Sequence, residues 1–304
     1  MKKKILVTGA GGFIGSAVCH KLISKYKVIA VVSPFSEPSR LNDVKTKLTV
    51  AKVDLSNSDK VEKIFKKHKP NAVLHLATHG VYQYQQQDEE RIVVDNYLMA
   101  VNLLANSLKY EVEKFVNTGS VFEYGSQNRK VKENEVELKD ILNKYSAIKI
   151  ATTALVNSYS ERLKVITLRP FTTYGPGEDP TRFITASINR AINNEEIKLV
   201  KGVVRDFVYV EDVANAFLKA LTVNFNSGEI INIANGEKHT LESAASLIKK
   251  ITNSKSKIVV DIKYKRSKES SCWADISKAE KVLKWKPEFD FETGLRKSVD
   301  FLKR

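Results

Sequence analysis

Thr8-Gly9-Ala10-Gly11-Gly12-Phe13-Ile14-Gly15 joins a short apolar run, residues 4–8, to an amphipathic segment that begins at Phe13. Glycines at this spacing permit a tight turn, close approach of the backbone to a diphosphate, and close packing of a helix on a strand. The N-terminus of the following helix offers free N–H groups and a positive dipole end to phosphates. The stretch therefore predicts the phosphate loop of a dinucleotide-binding fold, with cofactor contacts from Gly9, Gly12, Phe13, Ile14 and Gly15.

The first 170 residues alternate short β-branched runs with amphipathic stretches, which is the pattern of a parallel sheet flanked by helices. We therefore predict an α/β protein with a doubly wound, Rossmann-type parallel sheet and a binding crevice at the carboxyl ends of its strands. The predicted strands cover residues 4–8, 28–32, 48–53, 72–76, 114–118 and 165–169. The predicted helices cover residues 13–25, 59–67, 90–109 and 145–162.

This rhythm breaks after Arg169, where prolines and glycines crowd into residues 170–180 and indicate a loop region. Further strands at 206–210 and 230–233 are predicted to return to the edge of the sheet. Helices at 241–251 and from Phe291 onward are predicted to build a smaller C-terminal cap. The predicted domains are a dinucleotide-binding unit, 1–170 with 205–233 returning to it, and a substrate-binding cap, 171–204 with 234–304.

The composition is that of a globular protein, with 42% hydrophobic and 28% charged residues among 304. No apolar run reaches the roughly 18 residues that a membrane-spanning helix needs, and the apolar start of the chain is too short for a signal peptide. The two cysteines, Cys19 and Cys272, are far apart and suggest neither a disulfide framework nor a metal site. We expect a reduced, cytoplasmic protein without a membrane partner or a bound metal.

The formal net charge of +15 raises the question of a nucleic-acid partner. Nucleic-acid binding usually requires a basic tract with interleaved aromatic residues, and the lysines here are scattered along predicted helices instead. We therefore predict no nucleic-acid partner. A lysine-rich surface of this kind attracts anionic small molecules.

The end of the second predicted strand bears on the choice of cofactor. NAD-binding folds place an acidic residue about 20 positions beyond the glycines, where it binds the ribose 2′-hydroxyl. Here the strand ends at Ser33, which has a side chain suited to a 2′-phosphate, and Arg40 follows in the same loop unless it is simply solvated. NADP(H) is therefore favoured, and NAD(H) stays possible. Further predicted cofactor contacts are Asp54, Leu55, Leu76 and Ala77.

Tyr145 and Lys149 stand four residues apart, on one face of a predicted helix. A nearby ammonium favours tyrosinate, so we expect Lys149 to lower the pKa of Tyr145 and also to hold the nicotinamide ribose. Ser120 ends the segment after the fifth predicted strand, where the crevice should lie. It is suited to hydrogen-bonding the reacting oxygen, although a serine there is also common as an ordinary turn or cap residue.

These motifs belong to a longer pattern that spans nearly the whole chain. It comprises residues 8–15, His75-Leu76-Ala77, Asn96, Ser120, Tyr124-Gly125, Tyr145, Lys149, 169–176, 205–212, 274–279, Leu283, Trp285 and Pro287. In this pattern the chain resembles an extended short-chain dehydrogenase/reductase of the sugar-nucleotide epimerase/dehydratase/reductase group. The resemblance implies an enzyme that acts on a nucleoside-diphosphate sugar.

The resemblance also assigns roles to individual residues. It implies that Ser120, Tyr145 and Lys149 are catalytic, and that Thr172 and Arg205 bind substrate, Arg205 through its diphosphate. Arg266 is implied as a second diphosphate ligand, with a surface charge in a Lys/Arg-rich loop as the alternative. The identity of the base and sugar is expected to depend on the segment 82–87 and on Phe183. Asn96 lies on an apolar helical stripe, which indicates a hydrogen-bonded structural role beneath the site.

Departures from the family pattern narrow the expected chemistry. The 4,6-dehydratases carry an Asp-Glu pair directly after the catalytic threonine, where this chain has Val121 and Phe122, with Glu123 one position too late. The 4-epimerases usually keep an acidic residue at Ser33 and an asparagine at Thr172. Residues 174–183 look closest to 4-keto-sugar reductases. We therefore expect an NADPH-dependent reductase of a 4-keto-(deoxy)hexose, with an NAD-dependent 4-epimerase and a non-catalytic NADP-binding regulator as alternatives.

The predicted helices 90–109 and 145–162 are long enough to pair with their symmetry mates. Members of the family that the chain resembles often form dimers through such helices, so a homodimer is expected. Its interface would be a four-helix arrangement.

Overall fold

The computed structural model describes residues 2–80, 88–136, 138–261 and 271–304. Within this part of the chain, seven strands form one parallel sheet, and short two-stranded pairs accompany it. The strands are β1 (Lys4–Thr8), β2 (Lys27–Val32), β3 (Leu48–Lys52), β4 (Ala72–His75), β5 (Lys114–Thr118), β6 (Lys130–Val131), β7 (Val165–Pro170), β8 (Thr172–Tyr174), β9 (Ile197–Val200), β10 (Val204–Arg205), β11 (Phe207–Tyr209), β12 (Glu229–Ile233), β13 (His239–Thr240), β14 (Ile258–Asp261) and β15 (Trp273–Ala274).

The large sheet has the strand order β3-β2-β1-β4-β5-β7-β12. All of its strands are parallel, and successive strands are added on one side of β1 up to β3 and on its other side from β4 onward. This is the order of a doubly wound fold, and it confirms the predicted α/β class. No helix in the described ranges combines the length and the apolar character needed to cross a bilayer. The helices are α1 (Phe13–Leu22), α2 (Ser58–His68), α3 (Glu89–Lys109), α4 (Lys144–Asn157), α5 (Phe183–Ile192), α6 (Val210–Thr222), α7 (Leu241–Thr252) and α8 (Phe291–Leu302).

The sheet is buried on both faces, and alternate residues of one strand enter different cores. Ile5 and Val7 of β1 pack in a core with α1 and α6, whereas Leu6 packs in a second core with α2, α3 and α4. Side chains of a strand point alternately to its two sides, so an uninterrupted apolar run such as Ile5-Leu6-Val7 suits a strand covered by helices on both faces.

The smaller C-terminal part has a core of its own. Helices α5, α7 and α8 enclose it together with the pairs β9–β14 and β8–β11. Aromatic rings fill its centre, where Phe207 stacks on Phe291 with ring centroids 4.9 Å apart. Tyr174 packs edge-on against both rings and donates a hydrogen bond to the Phe291 carbonyl at 3.1 Å.

The strand predicted at 206–210 differs from the observed one in length and in pairing partner. It is shortened to β11, because α6 begins directly at Val210, and it pairs with β8 outside the large sheet. The edge position beside β7 is taken by β12, whose Ile231 and Ile233 are fully buried. The predicted return of 230–233 to the sheet edge is therefore confirmed, while that of 206–210 is wrong.

Helix boundaries are the other point of difference. α4 ends at Asn157, five residues before the predicted end, and a turn region follows. The Ser158 hydroxyl donates to the Leu155 carbonyl at 2.7 Å, the local competition with helical bonding that short polar side chains provide. α5 and α6 occupy segments for which the sequence interpretation gave no helix, although both have clear buried faces.

Short hydrogen bonds tie together the carboxyl ends of the central strands. The Thr8 hydroxyl accepts from the Leu76 and Ala77 amides, both at 3.1 Å, and contacts His75 Nδ1 at 2.9 Å. Thr118 at the end of β5 donates to the His75 carbonyl at 2.7 Å. These bonds hold β1, β4 and β5 in fixed relation at the sheet edge where a ligand crevice is expected.

Candidate active site

A cavity of about 1560 Å³ opens at the carboxyl ends of the strands and extends between the sheet and the C-terminal part. It brings together every predicted site residue that the structure describes. Arg266 and the segment 82–87 lie outside the described residues. The predicted residues that line it are Gly9, Gly12, Phe13, Ile14, Gly15, Ser33, Arg40, Asp54, Leu55, Leu76, Ala77, Ser120, Tyr145, Lys149, Thr172 and Arg205.

The glycine loop has the geometry of a phosphate cradle. Gly9 has φ of +64°, and a Cβ added at Gly15 would come within 2.1 Å of the Gly9 carbonyl oxygen, so neither position admits a side chain without displacement. α1 starts at Phe13, and its N-cap residue, Gly12, has no side chain to cap the first turn. Its N–H groups therefore face the cavity side of the loop without a side-chain acceptor, which fits a dinucleotide diphosphate.

Ser33 and Arg40, the residues from which the sequence analysis predicted NADP(H), line the same cavity. The Ser33 hydroxyl accepts from the Phe35 amide at 3.2 Å. Arg40 donates from Nε to the Gly177 carbonyl at 2.8 Å and from Nη1 to the Gly11 carbonyl at 3.5 Å. Arg40 thus bridges two loops through main-chain oxygens, a use that the prediction of a 2′-phosphate ligand did not foresee.

The adjoining cofactor contacts, Asp54 and Leu55, follow β3. Asp54 accepts from the Ser56 hydroxyl at 2.6 Å and from the Ser56 amide, and these bonds hold the pKa of its carboxyl below its usual value. Asn102 of α3 donates to the Leu55 carbonyl at 2.9 Å. The segment is therefore fixed from both sides, with an ionised carboxylate at the cavity wall.

Ser120, Tyr145 and Lys149 lie together at the centre of the cavity, and all three are buried. The side chains of Ser120 and Thr78 line the cavity near the Tyr145 hydroxyl and act to lower its pKa. Lys149 Nζ lies 5.7 Å from the centre of the Tyr145 ring and donates to the Thr118 carbonyl at 2.9 Å. One turn of α4 thus carries the Tyr145 hydroxyl and the Lys149 amine to the same wall.

Burial dominates the ionisation of both groups. It raises the pKa of Tyr145 to about 12, against the lowering effect of the Thr78 and Ser120 side chains and of the positive charge of Arg182. It also lowers the pKa of Lys149 to about 8. The net direction for Tyr145 is opposite to the one predicted from the Tyr-x-x-x-Lys spacing, because the loss of solvation outweighs the attraction of nearby cations.

Asn96 supports this region from below. Its amide nitrogen donates to the His79 carbonyl at 2.9 Å and to the Ile92 carbonyl at 2.6 Å. Its oxygen accepts from the His79 amide at 2.9 Å and from the Thr78 hydroxyl at 3.1 Å. A buried amide with all these bonds satisfied fixes residues 78–79 beside Tyr145, the structural role expected of a polar residue on an apolar stripe.

Glu123 is the only acidic residue near the position of a dehydratase pair in the described part of this segment, and it is fully engaged. Its carboxylate accepts from the Ser120 amide at 2.7 Å and pairs with Arg169, whose Nη2 lies 2.8 Å away. Both side chains are almost completely buried. Glu123 therefore braces the Ser120 turn from behind and does not face the cavity as a proton donor.

The substrate side of the cavity is formed by the C-terminal part. Thr172 and Arg205 line it at β8 and β10, next to Arg182 at the start of α5. Asp206 follows Arg205 and accepts from the Asn235, Gly236 and Ala274 amides at 2.8 to 3.0 Å. The cavity wall therefore carries Arg182 and Arg205 in addition to the glycine loop, a composition suited to a second anionic ligand.

Thr78 and Arg182 are among the lining residues that were not foreseen from the sequence. Thr78 directly follows the predicted His75-Leu76-Ala77 segment, and its position just past the end of a parallel strand was a usable signal. Arg182 lies in a Pro/Gly-rich loop that gives no periodic pattern, so only the folded chain shows that its positive charge acts to lower the pKa of Tyr145. No cluster of three or more metal-ligating side chains occurs within the described ranges.

Comparisons with known proteins agree with this geometry. A family model described as the NAD dependent epimerase/dehydratase family matches residues 5–234. The UDP-glucuronate 4-epimerase of Thermodesulfobacterium geofontis is 27% identical to the chain, over 98% of it and 95% of that protein.

Solved structures give the same picture. The UDP-glucose 4-epimerase of Thermotoga maritima, with UDP-glucose, is 30% identical and superimposes with a TM-score of 0.87, over 99% of this chain and 98% of that one. The UDP-glucuronic acid 4-epimerase of Bacillus cereus, with UDP-glucuronic acid and NAD, is 27% identical with a TM-score of 0.88, over 99% of both chains.

Proposed function

The chain belongs to the NAD-dependent epimerase/dehydratase family, and from this we propose that it is a nucleoside-diphosphate-sugar 4-epimerase that works with NAD. The extended short-chain dehydrogenase/reductase resemblance is confirmed, and the chain is an enzyme of the sugar-nucleotide epimerase/dehydratase type. The observation that carries the proposal is that Ser120, Tyr145 and Lys149 lie buried on the wall of one cavity, which extends from the glycine loop to Arg205.

The similar proteins support epimerisation better than the reduction favoured by the sequence pattern. Those named above are 4-epimerases, and one was solved with NAD. Arg40, the residue expected to hold a 2′-phosphate, is engaged with the Gly11 and Gly177 carbonyls. Both observations favour NAD over NADP, and the 4-epimerase, an alternative in the sequence interpretation, becomes the leading proposal.

The residues divide the work as follows. Bound NAD would supply the oxidising power, by accepting a hydride from C4 of the sugar and returning it to the opposite face. Tyr145 takes the proton of the 4-hydroxyl and later gives it back, while the Ser120 hydroxyl bonds the same oxygen. Lys149 places its positive charge near Tyr145 and is positioned for the ribose of the cofactor.

The same cavity provides for the substrate's diphosphate. Arg205 lines its wall, and a guanidinium binds phosphate oxygens in a planar, two-point fashion. A 4-epimerase must let the oxidised sugar rotate between the two hydride transfers, so that it presents its opposite face, while its nucleotide stays bound. Anchoring the diphosphate at one end and leaving the sugar in an open volume near Tyr145 meets this requirement.

The direct test is to incubate the purified protein with UDP-glucose or UDP-glucuronate and catalytic amounts of NAD, and to follow products by proton NMR. We expect the C4 epimer to accumulate to equilibrium without net formation of reduced nicotinamide. Stoichiometric oxidation of NADPH in the presence of a 4-keto sugar nucleotide, with no epimer from either UDP-sugar, would overturn the proposal.

That second outcome would establish the reductase, which one feature continues to favour. Ser33 stands at the tip of β2, where NAD-binding relatives usually carry a carboxylate, and it offers no repulsion to a 2′-phosphate. Calorimetric titration with NAD and with NADPH separates the two functions independently of turnover. Tight NAD binding supports the epimerase, and at least tenfold tighter binding of NADPH supports the reductase.

A further inference from the structure

Glu178 is a buried carboxylate on the cavity wall, and only one of its two oxygens is used by the chain. The residue is 8% exposed and lines the cavity. Its Oε2 accepts from the Thr185 hydroxyl at 2.6 Å and from the Thr185 amide at 3.3 Å. Its Oε1 has neither a hydrogen bond nor an ion pair within the part of the chain that the structure describes.

The free oxygen of Glu178 is accessible to a ligand. It is not one of the partnerless polar atoms that are sealed from solvent among the described residues, so it is open to the cavity. A buried carboxylate without a partner is unfavourable, and a ligand that brings a donor to it removes that cost. The cavity therefore holds a fixed, negatively charged acceptor that the chain itself leaves unsatisfied.

The support for Glu178 comes from the substrate side of the cavity. Thr185 lies in the first turn of α5, and α5 packs with α7 and α8 in the core of the C-terminal part. Thr172 of β8 and Arg182 before α5 stand on either side of Glu178 in the chain and line the same cavity. A donor that reaches Glu178 is therefore expected to come from the substrate.

The charge of Glu178 restricts which sugars are accepted. A carboxylate oxygen forms a strong hydrogen bond with a hydroxyl group, and it disfavours a second carboxylate brought close to it out of water. The arginines Arg182 and Arg205 on the same wall are suited to the diphosphate of the substrate. The sugar then meets a carboxylate, which suits a neutral hexose and not a uronate.

We propose that Glu178 accepts a hydrogen bond from a hydroxyl of the substrate's sugar and thereby selects an uncharged sugar nucleotide over a uronate. The inference rests on the proposed 4-epimerase function and names the sugar class for that site. A ribose hydroxyl of the cofactor offers the same donor chemistry, because Gly177 beside Glu178 is bonded to Arg40 in the loop after β2. Calorimetric titration with NAD alone separates these two sources.

Glu178→Gln is the most informative substitution. Both donors of Thr185 need an acceptor, so the amide oxygen of the variant takes the place of Oε2, and its NH₂ group faces the cavity. A charged acceptor thus becomes a neutral donor at nearly constant shape. Glu196→Gln makes the same change in net charge at an exposed position outside the cavity and is the matched control.

The ratio of kcat/KM for UDP-glucose to that for UDP-glucuronate measures the selection. Burial raises the pKa of Glu178 to about 7, so the assays are run at about pH 8, where the carboxylate predominates. We expect the parent ratio to exceed about 100 and to fall at least about tenfold in Glu178→Gln, with Glu196→Gln like the parent. A parent protein that converts both sugars equally well, or an unchanged ratio in Glu178→Gln, would overturn the proposal.

Binding gives a second readout that does not depend on turnover. In a Tyr145→Phe background the NAD complex is titrated with each sugar nucleotide, and the protein without cofactor is titrated with NAD. Glu178→Gln should weaken UDP-glucose binding roughly tenfold, because a charge-assisted bond is lost, and should leave NAD affinity unchanged. Weaker NAD binding with unchanged binding of both sugar nucleotides would assign Glu178 to the cofactor and refute the proposal.

Failure of the underlying function has a different signature. If the parent protein converts neither sugar nucleotide, the 4-epimerase proposal fails and the binding data alone decide the role of Glu178. Tighter binding of UDP-glucose then supports that role, and equal or tighter binding of UDP-glucuronate contradicts it. If Glu178→Gln does not fold, Glu178→Ala takes its place, since alanine also removes the charge and requires less room.

Discussion

At the scale of single residues, burial decides the chemistry of the candidate active site. Tyr145 and Lys149 are shifted in opposite senses, the phenol upward and the ammonium downward, and both shifts favour the uncharged form. The spacing of the two residues predicted that they meet, and they do. Spacing carries no information on solvation, so the sign of the Tyr145 shift could not be predicted from it.

Replacement of Tyr145 by phenylalanine should abolish turnover without unfolding the protein. The variant keeps the ring that packs edge-on against Phe122 at 5.8 Å and loses only the hydroxyl. We expect epimerisation to fall by about two to four orders of magnitude, the range of general acid–base catalysis, with NAD affinity unchanged. Initial rates and calorimetry measure the two quantities. Tyr26→Phe, outside the cavity, is the matched control, and activity near the parent level in Tyr145→Phe would refute the assignment.

Lys149 should be a stability cost in the protein stripped of ligand. Lowering its pKa from 10.5 to about 8 means that the folded chain disfavours the ammonium below pH 8, and this penalty fades as the pH rises from about 8 towards 10.5. Allowing for the lost bond to Thr118, Lys149→Met should raise the free energy of unfolding at pH 7 by about 1–3 kcal/mol.

Urea unfolding at two pH values tests the sign of this change in the free energy of unfolding and its dependence on pH. The gain in Lys149→Met should be about 1 kcal/mol smaller at pH 9 than at pH 7, because part of the penalty in the parent protein has then been relieved. A gain that grew with pH, or a destabilised variant at pH 7, would contradict the argument. Lys281→Met, at an exposed position, is the control and should show little change at either pH.

At the scale of elements, Asp206 connects three segments that are distant in the sequence. It follows β10 and accepts from two amides after β12 and from one in β15, so it fixes Arg205 relative to the rest of the cap. In Asp206→Asn one amide nitrogen must face a backbone N–H. We expect a loss of about 1–3 kcal/mol in the free energy of unfolding, measured with urea. Asp300→Asn, at an exposed position of α8, is the control. An unchanged free energy of unfolding in Asp206→Asn would contradict the proposed stabilising role of Asp206.

The predictability of elements follows the strength of their local signals. β1 and the start of α1 were predicted to the residue, since glycine spacing and an apolar run act locally, whereas α1 ends at Leu22, three residues before the predicted end. β11 was misplaced because its partner is decided by competition with β12 for the edge of the sheet. α5 was not predicted, because the Pro/Gly-rich loop before it hides its start, and its buried face is defined only by contact with α7 and α8.

At the scale of the whole molecule, α3 presents an apolar face that the described chain leaves uncovered. Val93, Val94, Tyr97 and Leu98 are each 39–43% exposed, and α4, which packs beside α3, contributes exposed Ala151 and Ala154. We propose that a second copy covers this face, because a two-fold axis would pair the same two helices from each chain.

Sedimentation velocity tests the dimer. We expect the parent protein to sediment as a dimer at micromolar concentration and Val94→Glu to sediment as a monomer, because a carboxylate would have to be buried in the interface. Phe301→Glu changes an equally exposed apolar residue on α8 and should leave the dimer intact. A parent protein that is monomeric at this concentration would rule the interface out.

The reaction type is the least predictable property at this scale. The roles proposed for Ser120, Tyr145 and Lys149 serve a reductase and an epimerase equally, so motifs built from these residues do not separate the two reactions. The difference depends on how the cofactor is held and how freely the sugar turns. Both depend on contacts between distant loops, such as the one Arg40 makes, and no local sequence pattern encodes such a contact.

Arg40 also has a consequence for timing. A side chain that ties the Gly11 loop to the Gly177 loop across the rim of the cavity makes cofactor exchange wait for that tie to open. A long residence time of the cofactor would slow an enzyme that must release the oxidised or reduced cofactor after each turnover. One that restores its cofactor before releasing product is not slowed at all, and its rate becomes independent of the ratio of oxidised to reduced nicotinamide around it.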